Sequence, residues 1–224
     1  MRIRESAVGR IFLIDALGAA LLAALWYAFF IRFNHRRGLQ ALRRIEAACS
    51  GQGRIIEARW LTTSRLEAQL RFASHWFDHA RLTLRLLPRP IPFHWLLCVC
   101  RRQKETLTFE ADLDCGPSAP LEVVRHRWFT QGHGGSDSDS RDWNLVRPGP
   151  IVFTTRPEWT QGLPPVVNTF MTSGGHKLLS VRFRPESPHL AATVALDSLS
   201  DRDAAAGFLS VLRDLAAGAS TSRQ

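Results

Sequence analysis

Histidine and aspartate residues between two predicted strands form the pattern in this chain that comes nearest to a metal site. His75, Asp78 and His79 fall within the five residues HWFDH. On a helix, the two histidines would share a face, as metal-binding histidine pairs do. The flanking strand pattern instead favours a loop, the glutamate of an HExxH motif is absent, and no third ligand is identifiable. We therefore interpret them as turn histidines, with metal binding as the weaker alternative.

A second acidic segment is spaced somewhat like a calcium-binding loop. Asp137, Asp139 and Asp142 lie in QGHGGSDSDSRD, residues 131–142. Arg141 stands where an oxygen ligand belongs, and the glycine and terminal glutamate of such loops are missing. Because the segment also lacks apolar residues, we interpret it as a mobile, solvated loop.

Signatures of cofactor and nucleophile chemistry are missing from the sequence. It has no GxGxxG, GxSxG or CxxC motif. Gly174-Gly175-His176-Lys177 is predicted to leave a helix and enter a strand, the reverse of the order in a phosphate-binding P-loop. We therefore expect no cofactor and a non-catalytic protein. A metal-dependent hydrolase around His75, Asp78 and His79 is the disfavoured alternative.

Residues 11–31, IFLIDALGAALLAALWYAFFI, contain one charge. A helix of this length extends about 31 Å, roughly the thickness of the hydrocarbon core of a bilayer. A cleaved signal peptide is the alternative, but its apolar region is shorter and ends in a small-residue cleavage site. This run ends in bulky aromatic residues followed by arginines. The sequence therefore predicts a transmembrane helix over 11–33, after a short tail over 1–10.

The arginines on either side of the predicted anchor suggest its orientation. Basic residues favour the cytoplasmic side of a membrane helix. The amino side has Arg2, Arg4 and Arg10, and the carboxyl side has Arg32, Arg36, Arg37, Arg43 and Arg44. The excess predicts a cytoplasmic soluble domain. Arginine far outnumbers lysine, which is typical of GC-rich bacterial genomes, so we expect a single-pass protein of a bacterial inner membrane.

Small residues recur at every fourth position within the predicted anchor. They are Ala16, Ala20, Ala24 and Ala28, and Asp15 lies at the start of the same stripe. Small side chains allow the backbone of a second helix to approach closely, and an acidic group in a membrane helix tends to face another helix. The pattern predicts contact with a membrane protein or self-association. The alternative is that alanine is simply common in such helices and that Asp15 reaches the interface.

Charge is divided unevenly along the chain. Residues 32–104 have a net charge of +11, whereas residues 105–224 have a net charge of −3. An anionic lipid surface would attract the basic half. Nucleic acid is not expected, because no aromatic stacking motif accompanies the charge. The alternative is that these residues are merely solvated. The candidate lipid- or anion-binding residues are Arg36, Arg37, Arg43, Arg44, Arg59, Arg65, Arg71, Arg81 and Arg85.

Hydrophobic periodicity predicts the fold. Helical spacing over 34–50 indicates a basic juxtamembrane helix, and apolar residues then alternate with polar ones in several segments from Ile56 to Leu196. Alternation of this kind is typical of an antiparallel sheet with one buried face. Two helices, one beginning at Pro164-Pro165 and one at Ser200 or Asp201, can cover that face. We predict an α+β domain over 51–217 and a frayed tail over 218–224.

One apolar stretch does not alternate. Residues 90–97, PIPFHWLL, are flanked by Arg89 and by Arg101-Arg102. We predict a buried strand there. The alternative is a segment that enters the membrane surface or receives a partner.

Overall fold

The first helix joins the predicted anchor to the predicted juxtamembrane helix without interruption. The structure, a computed structural model, describes residues 2–49, 51–73, 77–114, 116–117, 120–125, 144–146, 151–155 and 178–221. Helix α1 covers Arg2–Ala48 and is helical through Gly38. It is long and apolar enough to cross a membrane, and the apolar window is not buried within the protein.

The carboxyl-terminal part of α1 belongs to the core of the domain. Ala41, Leu42, Ile45 and Ala48 are buried, at the spacing that places them on one helix face. Cys49 follows as a free thiol, and burial raises its pKa, so it behaves as a neutral apolar side chain. The surroundings of the helix therefore change along its length: its apolar segment is exposed, and its carboxyl-terminal part lies in the core.

The described strands form one sheet in which every pairing is antiparallel. Their order across the sheet is β1-β2-β3-β4-β9-β8-β5-β7-β6. The strands are β1 Gly53–Thr62, β2 Arg65–Phe72, β3 Asp78–Arg85, β4 Thr106–Asp112, β5 Leu121–Arg125, β6 Asn144–Val146, β7 Ile151–Thr155, β8 Leu178–Phe183 and β9 Leu190–Ala195.

The two faces of the sheet differ as the alternation predicts. Leu82, Leu84, Leu107 and Phe109 are fully buried on the face that α1 covers. The residues between them, such as Thr83, point to the opposite face. We call the opposite face the polar face of the sheet.

Helix α2 covers Pro92–Cys100, and helix α3 covers Arg202–Thr221. Helix α3 packs beside α1 on the buried face of the sheet. Its first turn is capped by Asp201, whose Oδ1 accepts a hydrogen bond of 2.7 Å from the Ala204 amide. Its buried residues are Phe208, Leu212 and Leu215, among others. The predicted α+β fold class is thereby confirmed. The helix predicted at Pro164-Pro165 and the predicted loop 131–142 lie outside the described residues.

The prediction for the first strand was partly wrong. The alternation of Ile56, Ala58 and Trp60 with polar residues predicts that these three side chains face the core, yet Ile56 and Ala58 are exposed, Ile56 by 57%. The register shifts between Ile55 and Glu57, as in a β-bulge. The shift of one residue places Ile55 instead of Ile56 on the buried face. Ala58 remains opposite the buried Ala68, and it is exposed because β1 is an edge strand. Ile55 packs against the core in place of Ile56, and Trp60 packs there as the alternation predicts.

The prediction of a buried strand over 90–97 was also wrong. Most of this stretch belongs to α2, which begins with proline in its first turn. Cys98 is the buried residue of this helix. A short apolar run does not show by itself whether it forms a strand or a helix.

Candidate membrane-surface site

A buried carboxylate connects α1 to the sheet. The side chain of Glu105 is 4% exposed and lies between Arg37 and Arg89. Arg89 Nη1 donates a hydrogen bond of 2.6 Å to Oε1, to which the Leu87 amide also donates. Arg37 Nε lies 2.7 Å from Oε2, an ion pair without hydrogen-bond geometry. Two guanidinium groups thus compensate one buried negative charge.

Asn34 extends this network along α1. Its Nδ2 donates to the backbone carbonyls of Thr63 and Leu87, each at 3.1 Å, and its Oδ1 accepts from Arg89. The side chain has no exposed surface. These bonds attach α1 to the β1–β2 turn and to the segment after β3. We call the end of the sheet at Thr63, Leu87 and Glu105 the anchor-proximal end.

Helix α2 packs beside α1 at the last turns of the apolar segment. The Trp95 ring lies 6.2 Å from that of Trp26 and 6.4 Å from that of Phe30, measured between centroids. Trp26 Nε1 donates a hydrogen bond of 3.1 Å to the Arg89 carbonyl. A soluble-domain element therefore reaches the level of the predicted membrane boundary.

Most of α2 is not covered by the described part of the protein. Phe93 is 80% exposed, and Ile91, Leu96, Leu97 and Val99 are also exposed. Exposed apolar side chains that are contiguous, rather than scattered, indicate an interaction surface. The contacts of Trp95 with Trp26 and Phe30 place this helix beside the apolar segment of α1.

Cations follow directly after this apolar helix. Arg101, Arg102 and Lys104 are exposed in the connection from α2 to β4, and Arg32 is exposed on α1. The apolar surface thus has a basic border at the anchor-proximal end, an arrangement that suits anionic lipid headgroups.

The polar face of the sheet contains a groove of about 570 Å³. Arg65 and Arg85 line it, together with Glu110 and the ion-paired Glu122 and Arg182, and they lie directly opposite each other on adjacent strands. Both are exposed, and no carboxylate of the described residues forms an ion pair with them. Like charges directly opposite each other destabilise a sheet unless an anion compensates them.

Other arginines of the predicted anion-binding set have protein partners. Arg81 pairs with Glu67 at 3.0 Å, and Arg37 belongs to the Glu105 network. Arg44 donates to the Leu199 carbonyl. The structure therefore divides the arginines that were grouped by charge alone into those that have such a partner and those that do not. Within the described part of the chain, the exposed members that lack a side-chain partner of this kind are Arg36, Arg43, Arg59, Arg65, Arg71 and Arg85.

The remaining predicted site residues fall at two places. Asp15 and the alanines of the stripe are exposed on α1, where nothing in the described part of the chain covers them. Asp78 and His79 are exposed at the start of β3, and His75 lies outside the described residues. No group of three metal-ligating side chains occurs in the part of the chain that the structure describes.

Sequence reasoning missed Asn34, Arg89 and Glu105 as one network. Their positions lie far apart in the chain, and only the sheet topology brings them together. One signal was available for Glu105: it is the single acidic residue directly before the β4 alternation, after a run of basic residues.

Comparison with known proteins does not assign the chain to a family. No protein-family model matches it, and no curated protein matches it in sequence. Among solved structures it is similar to the crystal structure of the mycobacterial trehalose monomycolate transport factor A, TtfA. The TM-score is 0.45 at 8% identity, over 80% of this chain and 93% of that chain. A similarity at this level does not indicate a function.

Proposed function

We propose that this chain is a single-pass membrane protein whose α+β domain binds or scaffolds another membrane protein without catalysing a reaction. The observation that carries the proposal is that α1 is both the apolar segment and a core helix of the domain. A binding domain mounted in this way holds its surfaces at a fixed height and rotation relative to the bilayer. Such mounting suits a partner that is itself in the membrane.

The exposed side of α1 supports contact with a partner helix. Ala16, Ala20, Ala24 and Ala28 present small side chains that allow close packing. Asp15 lies at the beginning of the same stripe, where an acidic side chain favours a protein neighbour over lipid. We further propose a bacterial inner membrane and a cytoplasmic domain, on the basis of the arginine excess after the anchor.

The test is co-purification from native membranes. The chain is tagged at its carboxyl terminus, cross-linked briefly and extracted in mild detergent. Replacing both Ala20 and Ala24 with isoleucine should reduce recovery of a membrane partner by roughly tenfold, or about 1.4 kcal/mol of association free energy. The matched control replaces Leu22 and Leu25, which lie outside the stripe, with isoleucine. Equal recovery from both variants would contradict contact through the stripe.

A second candidate function is binding of an anionic lipid headgroup. It is favoured by the opposed Arg65 and Arg85 in the groove, neither of which has an ion-pair partner among the described residues. Full-length protein in neutral detergent should bind short-chain phosphatidylglycerol more tightly than phosphatidylcholine, and salt should weaken that binding.

The variant that tests this candidate replaces Arg65 and Arg85 with glutamine. The matched control makes the same change at Arg59 and Arg71, which are exposed arginines outside the groove lining. A loss of phosphatidylglycerol binding in the first variant alone is expected. Equal binding by both variants would contradict a headgroup site in the groove. Full-length protein is required, because a fragment that begins at Gly51 would lack the core residues of α1.

A further inference from the structure

We propose that α2 is a second membrane-contacting element, which lies in the interfacial layer of the bilayer beside α1 and seats the domain against the lipid. The inference rests on one part of the proposed function, namely that α1 spans a membrane. It does not depend on the existence of a protein partner.

The height of α2 follows from its contacts with α1. Trp95 packs on Trp26 and Phe30, and Trp26 donates a hydrogen bond to the Arg89 carbonyl. An α-helix rises 1.5 Å per residue, so Trp26 lies roughly 7.5 Å along the axis before Ile31, where the apolar segment ends. An α2 that stayed in water would require the last turns of the anchor to leave the hydrocarbon as well.

The surface of α2 has the composition expected of a helix at the membrane–water interface. His94 is its one polar side chain, and the helix sequence is otherwise apolar, PFHWLLCVC. Cys98 faces the protein, whereas Phe93, Leu96 and Leu97 are exposed. Tryptophans such as Trp26 and Trp95 are typical of membrane–water boundaries. A helix with this exposed surface buries it in the acyl boundary of a bilayer.

The charges next to α2 favour lipid as the occupant rather than a second apolar protein surface. Arg101, Arg102 and Lys104 are exposed immediately after the helix. They would stand at the level of the phosphates when α2 lies in the boundary layer, since basic residues near an anionic surface are attracted to it. Through Trp95, α2 also lies beside the apolar segment of α1, which the same bilayer would cover.

The consequence is a two-point attachment. A single transmembrane helix can tilt within the bilayer and carry a rigidly attached domain with it. Contact at α2 as well would restrict the tilt and bring the anchor-proximal end of the polar face, with Arg65 and Arg85, toward the headgroups.

The test is photo-cross-linking of the full-length chain in nanodiscs of phosphatidylethanolamine and phosphatidylglycerol. The photoreactive residue p-benzoylphenylalanine replaces Phe93 and, in a second variant, Leu96. Phe29, which is 63% exposed on α1, is the positive control, and Ile56 on β1 is the matched exposed control away from α2. Intact-mass spectrometry identifies the adducts.

We expect lipid adducts at Phe93 and Leu96 within about threefold of the yield at Phe29, and roughly tenfold above that at Ile56, as burial in the acyl boundary requires. Adducts at Phe29 without adducts at either α2 position would overturn the inference and leave the proposed anchor intact. Chain-to-chain cross-links at Phe93 in place of lipid adducts would also overturn it and assign the surface to self-association. Absence of lipid adducts at Phe29 would contradict the anchor, and with it both proposals.

Discussion

At the scale of single residues, Glu105 is the side chain on which the attachment of the domain to α1 depends. It is nearly inaccessible and is shared by Arg37 from α1 and Arg89 from the segment before α2. Removal of one partner from a buried ion pair costs far more than the pair contributes, because the remaining charges lose compensation. Pairs with an exposed partner, such as Arg81–Glu67, contribute little.

Replacement of Glu105 with alanine should therefore lower the free energy of unfolding by about 3 kcal/mol. For a chain of this size we expect the melting temperature in detergent to fall by roughly 6 to 12 °C. The matched control, Glu67→Ala, should cost less than about 1 kcal/mol. Equal losses for the two variants would show that the Glu105 network does not stabilise the domain.

Asp201 gives a second prediction at this scale, for acid conditions. Hydrogen bonds from the Ala204 amide and the Ser200 hydroxyl lower the pKa of its carboxyl below the ordinary value of 3.8. A lowered pKa in the folded state means that the stabilisation is present above about pH 4 and is lost as the pH falls through the folded pKa.

Melting temperatures at pH 7 and pH 3 test this cap. Asp201→Ala should be less stable than the parent chain at pH 7, and the difference should shrink at pH 3. Asp201→Asn keeps an acceptor oxygen and should retain more of the cap at both values. A difference between the parent and Asp201→Ala that does not change with pH would contradict the assignment.

At the scale of elements, Gly38 permits the close approach of α1 to the sheet. A Cβ atom at this position would lie 2.8 Å from Cη2 of Trp60 and 3.1 Å from Cδ2 of Leu66. The Trp60 ring is also stacked on His35 at 4.2 Å, which limits its freedom to move away. The glycine thus serves packing, since α1 remains helical through it.

Gly38→Leu should destabilise the domain by about 2 kcal/mol through overpacking. The matched control is Gly18→Leu in the apolar part of α1, where no described residue would lie within 4 Å of an added Cβ atom. Thermal unfolding in detergent should separate the two variants. A stable Gly38→Leu protein would show that α1 does not pack on the sheet at this point.

The elements also show where sequence patterns succeed. Alternation in β2, β3 and β4 predicts which of their residues are buried, because one face of each strand packs on helices and the other faces solvent. The bulge in β1 could not be predicted, since the residues at Ile55–Glu57 have no distinctive composition. Helix α2 was missed because a buried strand and a helix with an exposed apolar surface can have the same apolar composition. The Glu105 network depends on contacts between distant segments, and only the fold assembles it.

At the scale of the whole molecule, the apolar segment and the sheet belong to one body rather than to a domain tethered to an anchor. The bonds of Asn34 and the packing of Leu42 and Ile45 leave no free linker between these two described parts of the chain. The predicted anchor and the domain are therefore expected to move together, with α2 beside the exit point.

Hydrogen–deuterium exchange of the full-length chain in nanodiscs tests this claim most directly. If α1 is continuous and packed as described, amides over 34–48 should exchange as slowly as those of the central strand β4. Amides over 34–40 that exchange at the rate of an unstructured peptide, while β4 stays protected, would contradict the claim. They would show a flexible linker between the anchor and the domain.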